Sequence, residues 1–419
     1  MAASVSMALR GRVLAPDPHA RKLIDWPDAL IRITAAGTIT TIEPTPADCT
    51  IPQSWPGAVI LPGFVDTHLH FPQLRILGSA TGPLLEWLTT TVFPEEARFR
   101  DNGYAESIAD TICQRMASFG TTTAAIYSSA HPGATEALFG ALERSGLRAY
   151  AGLTLMDRNA PPAVTLDAAT ALTELAALVD RWHARDDGRL HVSVIPRFAL
   201  SCSPNLLAAA ASFARRHALL VQTHLSENLE EVRQTAAAFP ESQDYLGVYE
   251  DHGYTDARTL LAHCIHLSDQ EWARVRDRDM AVAHCPDSNF FLGSGCMPLR
   301  RAIDAGIRVG LGSDVGAGRT FSMPRVAAAA YDAAQVRGEP VSPTELLWLA
   351  TRGGSLALSQ EDRVGCIAPG FDADLVAVDV PRGTTHEVTD ALLFRHDAGR
   401  VRATFVRGRQ VHGERPQRG

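Results

Sequence analysis

Side chains that bind metals or transfer protons follow several apolar segments of this chain. His68 and His70 end the segment LPGFVDTHLH, and later apolar segments end in His224, His263 and Asp314. Imidazoles and a carboxylate are ligands that zinc or ferrous iron accepts, with one position left for water. The residue types therefore predict a metal centre, provided that the fold brings these side chains together.

The histidine pair alone is weak evidence. Positions two apart on a strand share a face whether or not they bind a metal, so His68 and His70 by themselves are better explained as buried histidines bonded to backbone carbonyls. Polar residues at the ends of five segments are harder to explain by packing, because parallel strands buried on both faces favour Val, Ile and Leu. The repetition favours the metal centre.

The elements that must position these residues alternate between short apolar segments and alanine-rich amphipathic segments. This alternation predicts an α/β fold with a parallel sheet, and about eight such units close into a (β/α)8 TIM-like barrel whose strands all end on one face. An open doubly wound sheet is the alternative, although no GxGxxG follows a first strand. Short β segments at both termini are expected to form one small β-sandwich.

The predicted domains follow from this division of the 419 residues. Residues 1–60 supply the N-terminal part of the β-sandwich, residues 61–360 form the barrel, and residues 361–419 supply the C-terminal part of the sandwich. Two long loops, Phe71 to Phe99 and Thr235 to Asp256, are candidate lids, because the loops after the strands carry the site in a barrel enzyme.

Composition excludes several classes of function. A net charge of −8 and the lack of a basic run argue against nucleic acid as a partner. The N-terminal apolar stretch is too short for a signal sequence, and no window approaches a membrane span, so we expect a cytoplasmic protein. The seven cysteines include no CxxC pair. Cys264 and Cys285 are interpreted as packing residues that point away from the histidines before them.

The order of the strand-end motifs resembles the amidohydrolase superfamily. Its members carry His-x-His after the first strand, histidines after the fifth and sixth, and aspartate after the eighth, and GCIAPGFDADLVAVD resembles their C-terminal part. More narrowly, VDTHLHFPQ, GPLLEWLTTTVFPEEARF, PRFALSCSP, THLSEN, AHCIHLS, AHCPDSN and GLGSDVGAGRTFSM resemble the branch that deaminates guanine. The resemblance implies a zinc-dependent hydrolase that converts guanine to xanthine and ammonia, as a cytoplasmic homodimer in purine catabolism.

The resemblance also implies the metal ligands. One zinc ion per subunit, with iron possible, is held by His68, His70, His224 and Asp314. Binuclear members bridge two metals with a carboxylated lysine after the fourth strand, where this chain has HVSVIPRF, and Lys22 is its only lysine. A mononuclear centre is therefore expected.

Catalytic roles follow from the same resemblance. Asp314 accepts the proton of the attacking water, and His263 hydrogen-bonds the hydroxide. Glu227 is expected to transfer protons to the ring and to the leaving amine. The alternative for Glu227 is an exposed loop glutamate like Glu230 or Glu231.

Substrate-binding residues are expected next to the ligands His70 and His224. Gln73 offers a donor and an acceptor in one amide, Arg197 is a rigid donor suited to O6 or N7, and Phe198 can stack on the purine. Their alternatives are a surface Gln73, an Arg197 paired with an acid, and a core Phe198.

Further residues near the motifs are candidates for supporting the site or for packing. Leu84 and Trp87 either close the site or pack within their loop. His284 is expected to shape the pocket from behind, and His266 to be structural. Asp287 stands where relatives often have a small polar residue, and Asn289 is a candidate for orienting the site.

Other functions remain open from the sequence. The same chemistry on a pterin, an oxidised guanine or a triazine needs only a different pocket. A catalytically silent, assembly-forming relative would have lost ligands that this chain keeps. A lactonase or dihydropyrimidinase-like amide hydrolase is disfavoured by the missing lysine.

Overall fold

The computed structural model describes residues 5–79, 82–255 and 258–416. The outermost residues of the predicted terminal domains, positions 80 and 81 of the first candidate loop, and Asp256 at the end of the second lie outside the described residues. The strands are β1 (Val5–Pro16), β2 (Leu23–Thr34), β3 (Ile39–Pro44), β4 (Ala58–Pro62), β5 (Phe64–His70), β6 (Thr121–Tyr127), β7 (Arg148–Gly152), β8 (Thr154–Leu155), β9 (Leu190–Pro196), β10 (Leu220–Leu225), β11 (Thr259–His263), β12 (Ala281–His284), β13 (Arg308–Leu311), β14 (Leu375–Asp379), β15 (Val401–Val406) and β16 (Arg409–Gly413).

The helices occupy most of the remaining chain. Those of nine or more residues are Asn102–Ser118, Pro132–Ser145, Ala168–Trp182, Pro204–His217, Leu229–Ala238, Asp269–Asp277, Met323–Arg337 and Thr385–Phe394. Shorter helices are Leu84–Trp87, Phe93–Glu96, Tyr245–Asp251, Pro286–Phe291, Leu299–Asp304, Pro343–Trp348 and Gly354–Ala357, with π-helical turns at Leu88–Val92 and Leu349–Gly353 and 3-10 turns at Phe71–Ile76 and Ala97–Arg100.

The central strands form a parallel barrel. Their order is β13-β12-β11-β10-β9-β7-β6-β5, with β8 paired to β9. The barrel closes between its last strand, β13, and its first, β5. Just after β13, the main-chain N–H of Asp314 donates to the carbonyl of His68 in β5 at 2.8 Å. Every residue of β5 and β6 is buried, as expected for strands covered on both faces. The predicted barrel is confirmed, and the open doubly wound sheet is wrong.

The two ends of the chain build one separate sheet. Its seven strands run in the order β16-β15-β14-β4-β1-β2-β3, antiparallel except where β1 pairs with β4. Ala377 of β14 lies opposite Ile60 of β4, so the C-terminal strands pair directly with the N-terminal ones. The sheet has its own apolar core, which includes Leu9, Ile31 and Phe405. The expectation that both termini contribute to one β unit is confirmed.

A buried ion-pair cluster joins the sheet to the barrel. Arg148, at the start of β7, is 0% exposed, and its Nη2 lies 2.6 Å from Asp372 Oδ2 and its Nε 3.5 Å from Asp374 Oδ2. Both aspartates directly precede β14. An unpaired buried guanidinium is costly, so the carboxylates make this position tolerable.

One segment of the described residues, Pro162–Trp182, is long and apolar enough to span a membrane, with a mean hydropathy of 1.3. Its helical part is amphipathic, and Leu175, Leu178 and Trp182 are buried in the main core. These buried side chains pack into the core, although only 22% of the apolar window is buried.

Candidate metal and substrate site

Four ligand atoms converge at the carboxyl ends of the barrel strands. His70 Nε2 lies 3.2 Å from His68 Nε2 and 3.3 Å from His224 Nε2. Asp314 Oδ1 lies 3.3 Å from His68 Nε2 and 3.4 Å from His70 Nε2. All four residues are buried. The structure thus brings together side chains that are up to 246 positions apart in the numbering of the chain.

These four separations fit a single metal ion that contacts all four side chains. Ligand atoms about 2.0–2.1 Å from zinc in a tetrahedron lie about 3.3 Å from one another. The observed separations of 3.2–3.4 Å agree with this value. The donor set of three nitrogens and one carboxylate oxygen is also one that zinc accepts.

The histidines have the protonation states that ligands need. Burial lowers the pKa of His70 to about 4 and holds that of His224 well below its ordinary value. The Nδ1–H of His224 donates to the main-chain carbonyl of Arg197 at 2.5 Å, which leaves the lone pair of Nε2 facing the other ligands. Neutral imidazoles with directed Nε2 lone pairs are the form that binds a metal.

Asp314 is held in place by an unusual backbone. Its φ of +49° lies in the left-handed region, which places its carboxylate over the end of the barrel. Burial would raise its pKa, but hydrogen bonds with His68 and His70 outweigh burial and hold the pKa well below its usual range. A Cβ at Gly312 would lie 2.7 Å from His68 Cβ, so only glycine permits this close approach. Asp314 is therefore an anion within a rigid ligand set.

His263 lies between the ligand set and the predicted proton carrier. Its Nε2 is 3.4 Å from Glu227 Oε2 and 3.8 Å from Asp314 Oδ2. Its Nδ1 lies 2.8 Å from Asn289 Oδ1, and since that oxygen accepts, Nδ1 donates. The positive φ of His263, +72°, turns the ring toward the site. Asn289 thus orients His263.

Glu227 is buried and not an exposed loop residue. Burial, together with the charges of Asp314 and Glu231, raises its pKa well above the ordinary value. Ser294 Oγ donates to its Oε1 at 3.4 Å. A carboxyl group with a raised pKa can hold a proton at neutral pH, which suits a general acid.

Glu231 corrects part of the sequence interpretation. It is 0% exposed, whereas Glu230 is exposed as expected. Its Oε2 accepts the main-chain N–H of Glu227 at 2.9 Å, and Tyr245 Oη donates to its Oε1 at 2.5 Å. The comparison of Glu231 with an exposed loop glutamate was wrong, because this side chain caps its own helix toward the site.

The substrate-binding candidates lie beside the ligands. Gln73 and Arg197 are 1% and 3% exposed. Both contact Glu96: Gln73 Nε2 donates to Glu96 Oε1 at 3.1 Å, and Arg197 Nη1 donates to Glu96 Oε2 at 2.7 Å. The alternative of a surface Gln73 is therefore wrong, whereas Arg197 both pairs with an acid and faces the pocket. Glu96 belongs to the motif GPLLEWLTTTVFPEEARF, but the sequence pattern does not indicate its contacts with Gln73 and Arg197.

A pocket of about 400 Å³ opens above the ligands. Its apolar wall is formed by Leu84, Trp87, Leu88, Phe198, Leu292 and Ala317. Its polar lining is His70, Gln73, Arg197, His224, Glu227, Glu231, His263 and Asp314. This half-open slot, with an apolar wall and convergent polar groups, suits a small flat ring. Phe198, Leu84 and Trp87 line this slot and also pack together in one cluster.

The two long loops that the sequence indicates as candidate lids, Phe71 to Phe99 and Thr235 to Asp256, differ in their contacts. The first is folded into short helices from Leu84 to Glu96 and supplies the pocket wall. The second lies behind the site, where Tyr249 Oη donates to the carbonyl of His224 at 2.7 Å.

Other strand-end residues support the site or lie beside it. His266 Nε2 donates to the carbonyl of Ser294 at 2.9 Å, which agrees with a structural part. His284 is fully buried next to His263, and burial lowers its pKa to about 3. Asp287 forms an ion pair with Arg319 at 2.6 Å.

Two side chains near the ligands were missed. Cys285 packs in a buried apolar cluster with Val65 and Ala283, as expected, but its Sγ also belongs to a second possible ligand group with His68, His263 and Asp314, whose atoms lie within 4.8 Å of one another. Tyr127 packs its ring against His70 with centroids 4.6 Å apart. No spacing pattern singled out either residue.

Known proteins resemble this chain over most of its length. A profile of the amidohydrolase family matches residues 59–411. A guanine deaminase of Escherichia coli is 38% identical over 328 residues, covering 78% of this chain and 74% of the relative. A probable guanine deaminase of Deinococcus radiodurans is 40% identical over 78% of this chain and 75% of the relative. The crystal structure of a guanine deaminase from C. acetobutylicum with bound guanine superimposes with a TM-score of 0.90 at 29% identity, covering 97% and 99% of the two chains.

The family profile includes the barrel with its strand-end motifs and, of the terminal sheet, β4, β14, β15 and part of β16. The relatives are identical at 38% and 40% of the aligned positions, and the family profile spans more than three quarters of the chain. The resemblance inferred from the motifs is confirmed, and the chain belongs to the amidohydrolase family.

Proposed function

We propose that this protein hydrolyses guanine to xanthine and ammonia, a step of purine catabolism, with one zinc ion in its site. The observation that carries the proposal is one pocket in which Gln73, Arg197 and Phe198 lie beside the converging ligand atoms. The E. coli and C. acetobutylicum relatives, the second with bound guanine, support the choice of ring.

Zinc held by His68, His70, His224 and Asp314 would supply a hydroxide at neutral pH by lowering the pKa of its water to roughly 7. The chain's residues do the remaining work. Asp314 Oδ2 accepts the proton of the water, and His263 hydrogen-bonds the attacking oxygen. Glu227 gives its proton to the ring nitrogen next to the reacting carbon and regains one from the added hydroxyl group as the new carbonyl forms. The water proton held by Asp314 passes to the amino group, which leaves as ammonia.

Orientation of the ring is the task of the polar wall. Arg197 donates to O6 or N7, Gln73 offers a donor and an acceptor to the ring edge, and Phe198 stacks on the purine face. Leu84 and Trp87 exclude water above the ring, which strengthens these hydrogen bonds.

The test is turnover of guanine by purified, zinc-loaded protein, followed by ultraviolet absorbance and ammonia release. Glu227→Gln should keep bound zinc and lose about 10²–10⁴-fold in rate, the usual contribution of acid–base catalysis. Turnover of a pterin, an oxidised guanine or a triazine instead of guanine would overturn the substrate. Full activity of the variant would overturn the role of Glu227.

We also propose a cytoplasmic homodimer with the units 1–60, 61–360 and 361–419, on the strength of the family resemblance. Light scattering of the purified protein tests the dimer, and a monomer mass at assay concentration would contradict it.

A further inference from the structure

We infer that Glu96 is a positioning residue, a buried carboxylate that fixes both side chains proposed to recognise the purine, Gln73 and Arg197. The inference rests on the proposed function, because it names what those two side chains need in order to discriminate between rings.

Glu96 uses each carboxylate oxygen for one of these partners. It is 1% exposed, Oε1 accepts from Gln73 Nε2 at 3.1 Å, and Oε2 accepts from Arg197 Nη1 at 2.7 Å. A carboxylate accepts hydrogen bonds and donates none once it is ionised. Both contacts therefore specify which atom of each partner faces Glu96.

The contact selects one orientation of the Gln73 amide. On the other side of that amide, the main-chain N–H of Gly316 donates to Gln73 Oε1 at 3.3 Å. A flipped amide would put its oxygen against a carboxylate and its NH₂ against an N–H group. Gln73 thus presents a fixed acceptor lone pair and a fixed N–H, which an amide free to flip would not provide.

The contact also selects the direction of the Arg197 guanidinium. The Arg197 Cζ atom lies 5.5 Å from the centre of the Phe93 ring, and Phe93 and Glu96 are the two ends of one short helix. The ion pair occupies Nη1, so the remaining N–H groups are available to the pocket. Without Glu96, Arg197 would be a buried cation without this counter-charge.

The position of Glu96 links recognition to the pocket wall. Its helix directly follows Leu84, Trp87 and Leu88, which line the pocket. The segment from Leu84 to Glu96 thus supplies part of the apolar wall of the pocket. It also supplies the carboxylate that holds the polar side chains Gln73 and Arg197 in place.

The experiment compares guanine with 2-aminopurine, which keeps the reacting amino group but lacks the 6-oxo group. For Glu96→Gln we expect the ratio of kcat/KM for guanine to that for 2-aminopurine to fall about tenfold or more, the size of one charge-assisted hydrogen bond. The fall should appear mainly in KM, with zinc content close to that of the wild type and a lower melting temperature, because Arg197 loses its buried counter-charge.

Glu95→Gln is the matched control. Glu95 is the neighbouring buried carboxylate, but it pairs with Arg98 at 2.9 Å and accepts from Tyr104, away from the pocket. Its variant should keep the wild-type ratio. An equal loss of activity toward both purines in Glu96→Gln would mean a purely structural role and would overturn the inference.

Crystal structures of the substrate-free wild type and Glu96→Gln give a result that does not depend on the substrate. Displacement of Gln73 or Arg197 by about 1 Å or more, a misplacement large enough to impair catalysis, supports the inference, and unmoved side chains overturn it. If guanine is not turned over by the wild type, the proposed function fails while these structures still decide about Glu96. Glu96→Asp, which keeps the charge but shortens the reach, replaces Glu96→Gln if the latter does not fold.

Discussion

His224 Nδ1 lies 2.5 Å from the main-chain carbonyl oxygen of Arg197. One of these residues belongs to the proposed metal site and the other to the proposed substrate site. The carbonyl only accepts, so it fixes the tautomer of His224, and the side chain of the same Arg197 faces the pocket. The proposed metal site and the proposed substrate site are therefore connected through a single peptide group.

The two candidate ligand groups make different predictions about bound metal. His224→Asn should lower the metal content below that of the wild type, because it removes one of the four ligands of the proposed set. Cys285→Ser should keep about one metal ion per chain, because Cys285 is not among the proposed ligands His68, His70, His224 and Asp314. Metal analysis after gel filtration measures both. Loss of metal in Cys285→Ser with retention in His224→Asn would place the ion in the group of His68, His263, Cys285 and Asp314.

The neighbouring Glu230 and Glu231 offer a comparison between an exposed and a buried carboxylate. Glu231→Gln should lower the free energy of unfolding by about 1–3 kcal/mol, because it weakens contacts with Tyr245 and the backbone of Glu227. It should also lower kcat by displacing Glu227. Glu230→Gln removes an exposed pair with Arg233 and should change stability by less than about 1 kcal/mol. Urea unfolding and steady-state kinetics measure the effects, and equal effects of the two substitutions would contradict the assignment.

Substitutions in the buried ion-pair cluster that joins the barrel to the terminal sheet should greatly lower the free energy of unfolding. Arg148→Ala removes the ion-pair partner of the buried Asp374 and one of the three described arginines that pair with Asp372, and it should cost about 3 kcal/mol. Arg144→Ala is the control, because its pair with Asp110 is more than half exposed on both sides and should contribute about 0–1 kcal/mol. Thermal unfolding of the two variants distinguishes these values, and a near-neutral Arg148→Ala would show that the cluster is dispensable.

Acid should destabilise the protein through His191, far from the metal site. Burial lowers the pKa of His191 to about 4, and its ring stacks on Tyr150 with centroids 4.5 Å apart. The unfolded chain, with a His pKa near 6.5, binds this proton more readily, so the stabilisation is present above about pH 6.5 and is lost as the pH falls toward 4.

Protonation of His191 should lower the free energy of unfolding by about 1–3 kcal/mol between pH 6.5 and pH 4. His191→Phe keeps the stacking and removes the titration, so its stability should depend less on pH over this range. Urea unfolding at several pH values measures the difference, and parallel curves for wild type and variant would contradict it.

The barrel and the converging ligands were predictable because one rule of parallel barrels governs both. All strands end on one face, so residues at the ends of segments such as His68 and Asp314 must meet regardless of their distance along the chain. Glu96 follows no such rule. Its partners lie 23 and 101 residues away, and its short helix has no apolar periodicity that predicts a direction.

Cys285 packs as expected, but the same reasoning does not predict that its Sγ lies beside the ligands. Alternation of faces holds within a strand, but β12 ends at His284, and Cys285 already precedes the helix Pro286–Phe291. Cys264, which follows β11 with a positive φ of +51°, has also left its strand, yet it packs into the main core as expected. The side-chain direction one residue past a strand depends on the turn, which the sequence pattern does not specify.

The pairing of β4 with β14 has a consequence for synthesis on the ribosome. The two strands are more than 300 residues apart, so β4 emerges long before its antiparallel neighbour exists. At about 5–20 residues per second, the apolar edge of β4 waits roughly 15 to 60 s for its partner. An exposed strand edge of this kind invites pairing between nascent chains, so the terminal sheet is the part of the molecule that most needs a chaperone while the barrel is being made.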